Sequence, residues 1–472
     1  MSSILPDVTE SIQDGALGII PESTDNIALV VGVCSQGTTN VIQSFGDKKS
    51  LVAALGSGPL VDAAALILDT AGGPVDCVRI AATTAGAAGA VTTAGTGTAT
   101  MTVAGAALDE YVVQIVITAA GANLAALTAA FKYTLDGGNN WSSPIAMPVG
   151  GVYAIPGTNI TVTFADGTFV VADTYSFNAT QPLYAGSDLT TTMAAILADP
   201  REWNFLFAVG PPASESAAAT LVGTLDTIMS SAETSFRFAF ALVEIPKDTD
   251  ANIIAALANT TSKRVMGCAG TEMLVSTVNG LVRERSSAYV AAARIAAVPI
   301  HEDLGRVRTG PVLGVSSLVR DERATPGLDA ARLTTLRTIV GQPGYYITNG
   351  RMLAPAGSDF TYVQNRRVMD KACKVARDGL MEYLNDSVRL NADGTIQEID
   401  ARAIEAYVNA QLDAELVSAG HASSTAVLVD RTHNIASDST MPVTVRILPL
   451  GYAKFITVDI GFTSPALQPK AA

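Results

Sequence analysis

The spacing of apolar positions divides the chain into three textures. "NIALVVGVC" (26–34) is a continuous apolar run of the kind a strand shows when both faces of its sheet are covered. "SLVAALGSGPLVDAAALILDTAGG" reads as helical turns ending at Gly72 and Gly73. "VDCVRIA" then returns as another buried strand. From about residue 188 the same rhythm resumes: "EWNFLFAVG", "SFRFAFALVEIP" and "KRVMGCAG" are strands, set apart by the helical spacing of "SESAAATLVGTLDTIMSSA" and "DANIIAALANTT". Strands alternating with helices predict a mostly parallel sheet with helices packed on it.

The stretch between differs. "YVVQIVIT", "AAFKYTL" and "ITVTFADGTFVVADTYSFNAT" alternate with period two, and Asp166-Gly167 reads as a hairpin turn. The expected fold class is therefore an α/β core, a mixed sheet with flanking helices, carrying an inserted all-β sandwich-like domain and extended N- and C-terminal arms. The core spans 26–81 and 188–440, divisible into subdomains 188–300 and 301–440, and the β-rich insertion spans 82–187 and faces outward. An N-terminal arm, 1–25, has apolar residues broken by Pro6, Gly15 and Pro21. The C-terminal segment, 441–472, holds "VTVRIL", where Val443, Val445 and Ile447 alternate with polar residues. After a break at Pro449–Gly451 comes "KFITVDIGF", where Ile456, Val458, Ile460 and Phe462 do the same. Two half-buried strands are predicted there.

Composition changes this picture in one respect. Only 16% of the 472 residues are charged, against about 25% in an ordinary soluble domain, so much of the surface is expected to be covered by something. The net charge is −14, yet Arg283–Arg389 holds 16 Lys and Arg against 11 Asp and Glu. Part of that excess lies in "FTYVQNRRVMDKACKVARDGLMEYL" (360–384). On a helix, Met369, Cys373, Ala376, Leu380 and Leu384 form an apolar stripe, and the opposite side displays Arg367, Lys371 and Lys374 with Arg366 and Arg377 flanking. Like charges so close repel unless solvated or matched. Nucleic acid is a poor match, because basic and aromatic residues are not interleaved and the overall acidity opposes phosphate.

Candidate chemistry is sparse. The chain has no GxxxxGK[ST], GxSxG or HExxH, and "GSGPLV" lacks the final glycine of a dinucleotide loop. His301, His421 and His433 are not spaced for metal, and the calcium-loop-like "RLNADGTIQEID" begins with Arg389 where a carboxylate belongs. Glu302-Asp303 and Asp321-Glu322 lie beside arginines and read as surface ion pairs. "TLDGGNNW" (134–141) resembles the Asp-box of sialidase propellers, a structural hairpin corner, and occurs once. Cys34, Cys77, Cys268 and Cys373 read as free thiols. No enzyme, cofactor or metal is expected. Ile80–Leu108 carries no charge, but its Ala, Gly and Thr content makes a poor membrane span. The acidic N-terminus lacks the pattern of a secretory signal, so synthesis in the cytoplasm is expected.

The order of these segments resembles the sheath protein of contractile bacteriophage tails and related injection machines. The segments are "ALGIIPESTDNIALVVGVCSQG", "VIQSFGDKKSLVAAL", "GGPVDCVRIA", "GQPGYYITNGRML", "FTYVQNRRVMDKACKVARDGL" and the closing alternation, covering 1–81 and 188–472. The resemblance implies a subunit that polymerises into a helical cylinder around a tail tube and contracts to drive the tube through a cell envelope. Its partners would be further copies of itself, the tube, the baseplate and the tail terminator, with no direct nucleic acid contact and a membrane reached only by the assembled tail. It also implies assembly in the host cytoplasm into a virion tail. Val443, Val445, Ile447, Ile456, Val458, Ile460 and Phe462 would then be donated to a neighbour's sheet, with Pro21, Pro449 and Gly451 as hinges. Arg366, Arg367, Lys371, Lys374 and Arg377 would face the tube. The alternative is another virion or surface-array structural protein with an Ig-like carbohydrate-binding insertion.

Overall fold

The structure, a computed structural model, describes residues 25–462. Pro21 and almost all of the expected N-terminal arm lie outside the described residues. The five-residue run Ala28–Gly32 is buried throughout and sits inside a six-stranded sheet. The strand order is Val265–Cys268, Phe240–Glu244, Phe205–Ala208, Ala28–Gly32, Val75–Arg79, Ile42–Phe45. All neighbours are parallel except the last pair, which is antiparallel. Alternation along the strands feeds two cores. Ala28, Val30, Phe205 and Phe207 face the helices Pro59–Ala71 and Ala288–Ala297, while Leu29, Val31, Leu206 and Ala208 face Gly186–Ala198, Glu215–Thr234 and Asp250–Leu257. Sequence alone suggested one run of helical turns before Gly72. The structure has two helices, Lys48–Leu55 and Pro59–Ala71. Asp47 caps the first by accepting from Ser50, Pro59 opens the second, and Gly72 closes it at φ 66°.

The β-rich unit is entered after Ile80, and its two connections are zipped together where Thr84 and Leu183 exchange backbone hydrogen bonds of 3.0 and 2.9 Å. A unit whose ends meet can be carried on a loop without distorting the sheet that hosts it. It contains a three-stranded sheet, Val152–Ile155, Ile160–Phe164 and Met101–Ala104, and a second sheet built around Tyr111–Ala119 and Thr174–Thr180. Phe131, Phe164, Phe169, Tyr175 and Ile115 form its separate core. Asp166-Gly167 is not a hairpin turn: the strands on either side pair in different sheets, so this segment is the crossover between the two layers. Period-two alternation gives the strands but not which neighbour each one chooses.

Three units meet at a buried charge cluster. Asp62 comes from the core helix, Asp109 from the insertion, and Arg283 and Arg285 from the strand Val282–Ser286. Arg283 reaches Asp62 at 2.5 Å and Asp109 at 2.8 Å, and Arg285 reaches them at 2.9 and 2.7 Å. Gln181, also of the insertion, accepts from Arg285 at 3.1 Å. Burial pushes the Asp62 carboxyl up, but the two guanidiniums outweigh it and hold the group below the ordinary carboxylate range. The loop 134–141 supplies a second joint. Asp136 accepts from Thr134 and Asn140 within its own loop and from the backbone N–H of Val282, and Asn140 donates to Gly280.

Beside this cluster Glu272 is fully buried with no hydrogen-bond partner on either oxygen. Burial, reinforced by Glu244 and Glu284, pushes its carboxyl well above the ordinary range, and burial likewise raises Glu244 to about 7. An acid with a raised folded-state value stabilises the fold while protonated. That contribution is intact below the unfolded value near 4.5 and is lost as pH rises.

Two stability predictions follow from the junction. Asp109→Asn leaves two buried guanidiniums short of an anion, with an expected cost of about 3–5 kcal/mol, read by denaturant midpoint and by faster proteolysis at the connections near residues 82–86. Glu272→Gln is expected to raise stability at pH 8 by roughly 1–3 kcal/mol and to flatten its decline between pH 5 and 8. An unchanged pH profile refutes the assignment.

Candidate assembly surface: the basic helix, the terminal hairpin and the arm

The C-terminal unit is built on two helices, Val363–Met381 and Glu398–Leu412, covered by a two-stranded antiparallel hairpin, Ala422–Val429 and Val443–Pro449. Its core joins Val368, Ala372 and Ala376 to Ile404, Val408 and Leu412.

The structure reverses the reading of the basic helix. Arg366 and Arg367 are each only 5% exposed. Arg366 pairs with Asp370 and lies 4.6 Å from the centre of the Phe360 ring. Asp370 also pairs at 3.3 Å with Arg264, which in turn binds Glu233 at 2.6 Å. Arg367 donates to the carbonyls of Ile295, Val298 and Pro299 at 3.0, 2.9 and 3.3 Å and to Asn26 Oδ1 at 2.6 Å. It thereby satisfies the C-terminal end of the helix Ala288–Ala297, and burial lowers its guanidinium to about 10. A planar fork of five donors makes such burial feasible. Lys371 binds Asp25 at 2.6 Å and Glu415 at 3.2 Å. Lys374, paired with Glu202, and Arg377, stacked 4.0 Å from the Phe236 ring centre, remain nearest solvent. Phe236 has φ 60°, which is costly for a bulky residue, and its ring is 61% exposed.

The apolar stripe is the side left partly open. Met369, Cys373, Ala376, Leu380 and Leu384 line a groove of about 770 Å³ together with Val443, Val445, Ile447, Phe236 and Phe238. Spacing finds the stripe but not whether a neighbouring element covers it.

The C-terminal segment also departs from expectation. Val443, Val445 and Ile447 do lie in a strand, but it pairs with Ala422–Val429 of the same chain, Val443 opposite Val429 and Pro449 opposite Ala422, and packs on its own unit. That partner, "ASSTAVLV", is visible afterwards as a β-branched run, though its many small polar residues hid it. The strand's other edge has no partner among the described residues. Beyond Pro449 and Gly451 the chain is pinned by Tyr452, which donates to the His301 carbonyl at 2.5 Å, and by Lys454, which binds Asp303 and Asn349. Residues 455–462 then form no strand. Phe455 is 96% exposed and Ile460 92%, with Ile456, Val458 and Phe462 also exposed.

The remaining chemical candidates have structural neighbours. Glu302 accepts from Arg306 and Thr309, Asp321 from Thr338, and Glu322 from Arg320. His301 and His421 contact each other, and His433 contacts Asp438. Among the described residues no group of three or more His, Cys, Asp or Glu is placed to hold a metal, and no helix is long and apolar enough to cross a membrane.

The mixed α/β chain as a whole shares the fold of sheath proteins. The chain aligns with the PVC sheath complex of an extracellular contractile injection system in its contracted state, over 99% of both chains with TM-score 0.54 and 12% identity. It aligns with a chain of the contracted anti-feeding prophage baseplate over 100% of both, with TM-score 0.55 and 12% identity. A sheath tail protein of Listeria innocua aligns over 92% of this chain and 97% of its own, with TM-score 0.48 and 13% identity. No curated protein matches the chain in sequence. Residues 5–351 match the model of the DUF2586 N-terminal domain and residues 359–467 that of the C-terminal domain. The chain belongs to the DUF2586 family.

Proposed function

We propose that the protein is a structural subunit of a contractile sheath, polymerising head to tail into a helical cylinder around a tail tube and shortening to drive that tube through a target envelope. The observation that carries this reading is that the arm 455–462 exposes five large apolar side chains on a chain that also presents an open strand edge beside an unfilled apolar groove. A strand added to the free edge of Val443–Pro449 makes main-chain hydrogen bonds and turns alternate side chains toward the groove, the mode of β-augmentation. Burying each of Ile456, Val458, Ile460 and Phe462 contributes about 1.5–3 kcal/mol. A contact made by donating an arm to the next copy is head to tail, and such contacts extend into an open helical lattice where the rotation between copies does not close a ring. The donated segment is therefore 455–462. Val443, Val445 and Ile447 belong to the acceptor; Pro449, expected as a hinge, is held in the paired strand opposite Ala422, so the flexible root is Gly451 just beyond it.

On the tube side the proposal narrows to the cations nearest solvent, Lys374 and Arg377, with Lys371 behind them. Exposed pairs contribute about 0.2–1 kcal/mol each. Summed over many subunits they hold register, yet each releases easily when the lattice rearranges.

Two outcomes test this. Full-length protein at high concentration should form hollow cylinders in negative-stain micrographs, and a chain ending at Lys454 should stay monomeric by light scattering. Cylinders of normal yield from the truncated chain would remove the arm from its role. The double change Lys374→Glu and Arg377→Glu should leave cylinders intact and abolish co-assembly with an acidic tube protein, so unaltered co-assembly would place the tube contact elsewhere.

A further inference from the structure

The arm is rooted on a contact that neither the fold nor the assembly reading explains. His301 lies in the loop after the core helix Ala288–Ala297, and His421 lies just before the hairpin strand Ala422–Val429. Their Nδ1 atoms are 2.8 Å apart and their ring centroids 5.0 Å apart. At that distance one ring must donate and the other accept, so the contact exists only while at least one imidazole is neutral. Both rings are held in place by backbone. The Arg367 guanidinium fixes the His301 loop through the carbonyls of Ile295, Val298 and Pro299. Gly420, at φ 73°, turns the chain out of its helix, and the His421 N–H donates to the Leu416 carbonyl at 2.7 Å. Tyr452 of the arm root donates to the carbonyl of the same His301. One histidine pair thus joins the α/β core, the C-terminal unit and the base of the arm.

We infer that the His301–His421 pair is a proton-operated latch: neutral, it holds the C-terminal unit and the arm root against the core, and protonation of both rings drives the seam apart. The charges around the pair favour that direction. Arg306 and Arg367 face His301, and Lys371 and Arg367 face His421, while Glu302 acts on His301 and Asp25 on His421. Asp25 is engaged by Lys371, which Glu415 also binds, and Glu302 by Arg306 and Thr309. Two imidazoliums in this setting would meet each other and the nearby cations without an uncommitted anion.

Burial lowers both rings, and Lys371 and His301 add to the effect at His421, which falls to about 4. A histidine depressed in the folded state keeps its full contribution above the unfolded value near 6.5. That contribution is lost as pH falls through the folded value, so the latch opens in acid.

Hydrogen–deuterium exchange on the full-length chain, corrected for intrinsic rates, tests this at pH 7 and at about pH 4. The wild type is expected to lose protection in 298–303, 416–423 and 449–454 by about tenfold or more in acid, as one pH unit of displacement corresponds to tenfold, while the sheet strand Phe205–Ala208 stays protected. His421→Gln, and separately His301→Gln, should retain protection in those segments at the lower pH, because a neutral amide replaces a ring that charges. The latch is overturned if the wild-type seam stays closed in acid. It is equally overturned if both glutamine variants open as the wild type does, which would assign the response to Asp25, Glu302 or Glu415.

Discussion

The architecture depends on where its arginines are buried. In a chain with few charges, Arg264, Arg283, Arg285, Arg294, Arg366 and Arg367 are each less than 10% exposed. Four of them, Arg264, Arg283, Arg285 and Arg367, bridge elements far apart in sequence. Arg283 and Arg285 join the core helix to the insertion, Arg264 and Asp370 join the core sheet to the C-terminal helix, and Arg367 closes the end of another helix. Arg294 donates to the Gly310 and Pro311 carbonyls. Desolvating a guanidinium is costly, and the cost is offset only where several acceptors converge in fixed geometry. That requirement locks the units in one arrangement more sharply than apolar packing does, because a slipped register leaves an unpaired charge.

The same burial shapes the outside. Cations consumed internally are unavailable to solvate the surface, which is one reason a chain this poor in charge keeps apolar features exposed. Once the units are locked, the C-terminal region still presents a free strand edge, the groove beside it and the exposed arm 455–462. These are mutually complementary in chemistry.

Pattern reading captured what alternation and run length encode. The buried strands of the central sheet and the β character of the insertion follow from apolar spacing, and the end of the helix before Gly72 follows from that glycine, although the spacing runs straight through the break at Pro59. It misjudged what depends on partners. Arg366 and Arg367 look identical in sequence to solvent-facing cations, and only the placement of Asp370 and of three free carbonyls makes them interior groups. Val443–Pro449 looked unpaired because its partner lies across a loop in a small-residue run. Asp166-Gly167 has turn chemistry, but turn chemistry does not say whether the chain folds back or crosses to another layer. The histidine pair, 120 positions apart in sequence, carries no local signal at all.

In the proposed assembly this division of labour has a mechanical consequence. A sheath that shortens must exchange one set of lateral contacts for another without letting subunits separate. Side-chain charge pairs are suited to the contacts that change, since each is weak and readily re-formed. A donated strand is suited to the contact that persists, because its main-chain hydrogen bonds break only together. The proposed root at Gly451, just past the paired Pro449, sits between these two regimes. A Cβ at Gly451 would meet nothing within 4 Å, while Tyr452 and Lys454, one and three residues later, tie the chain to the core. Rotation of a subunit would therefore be absorbed at this root before any strain reached the strand.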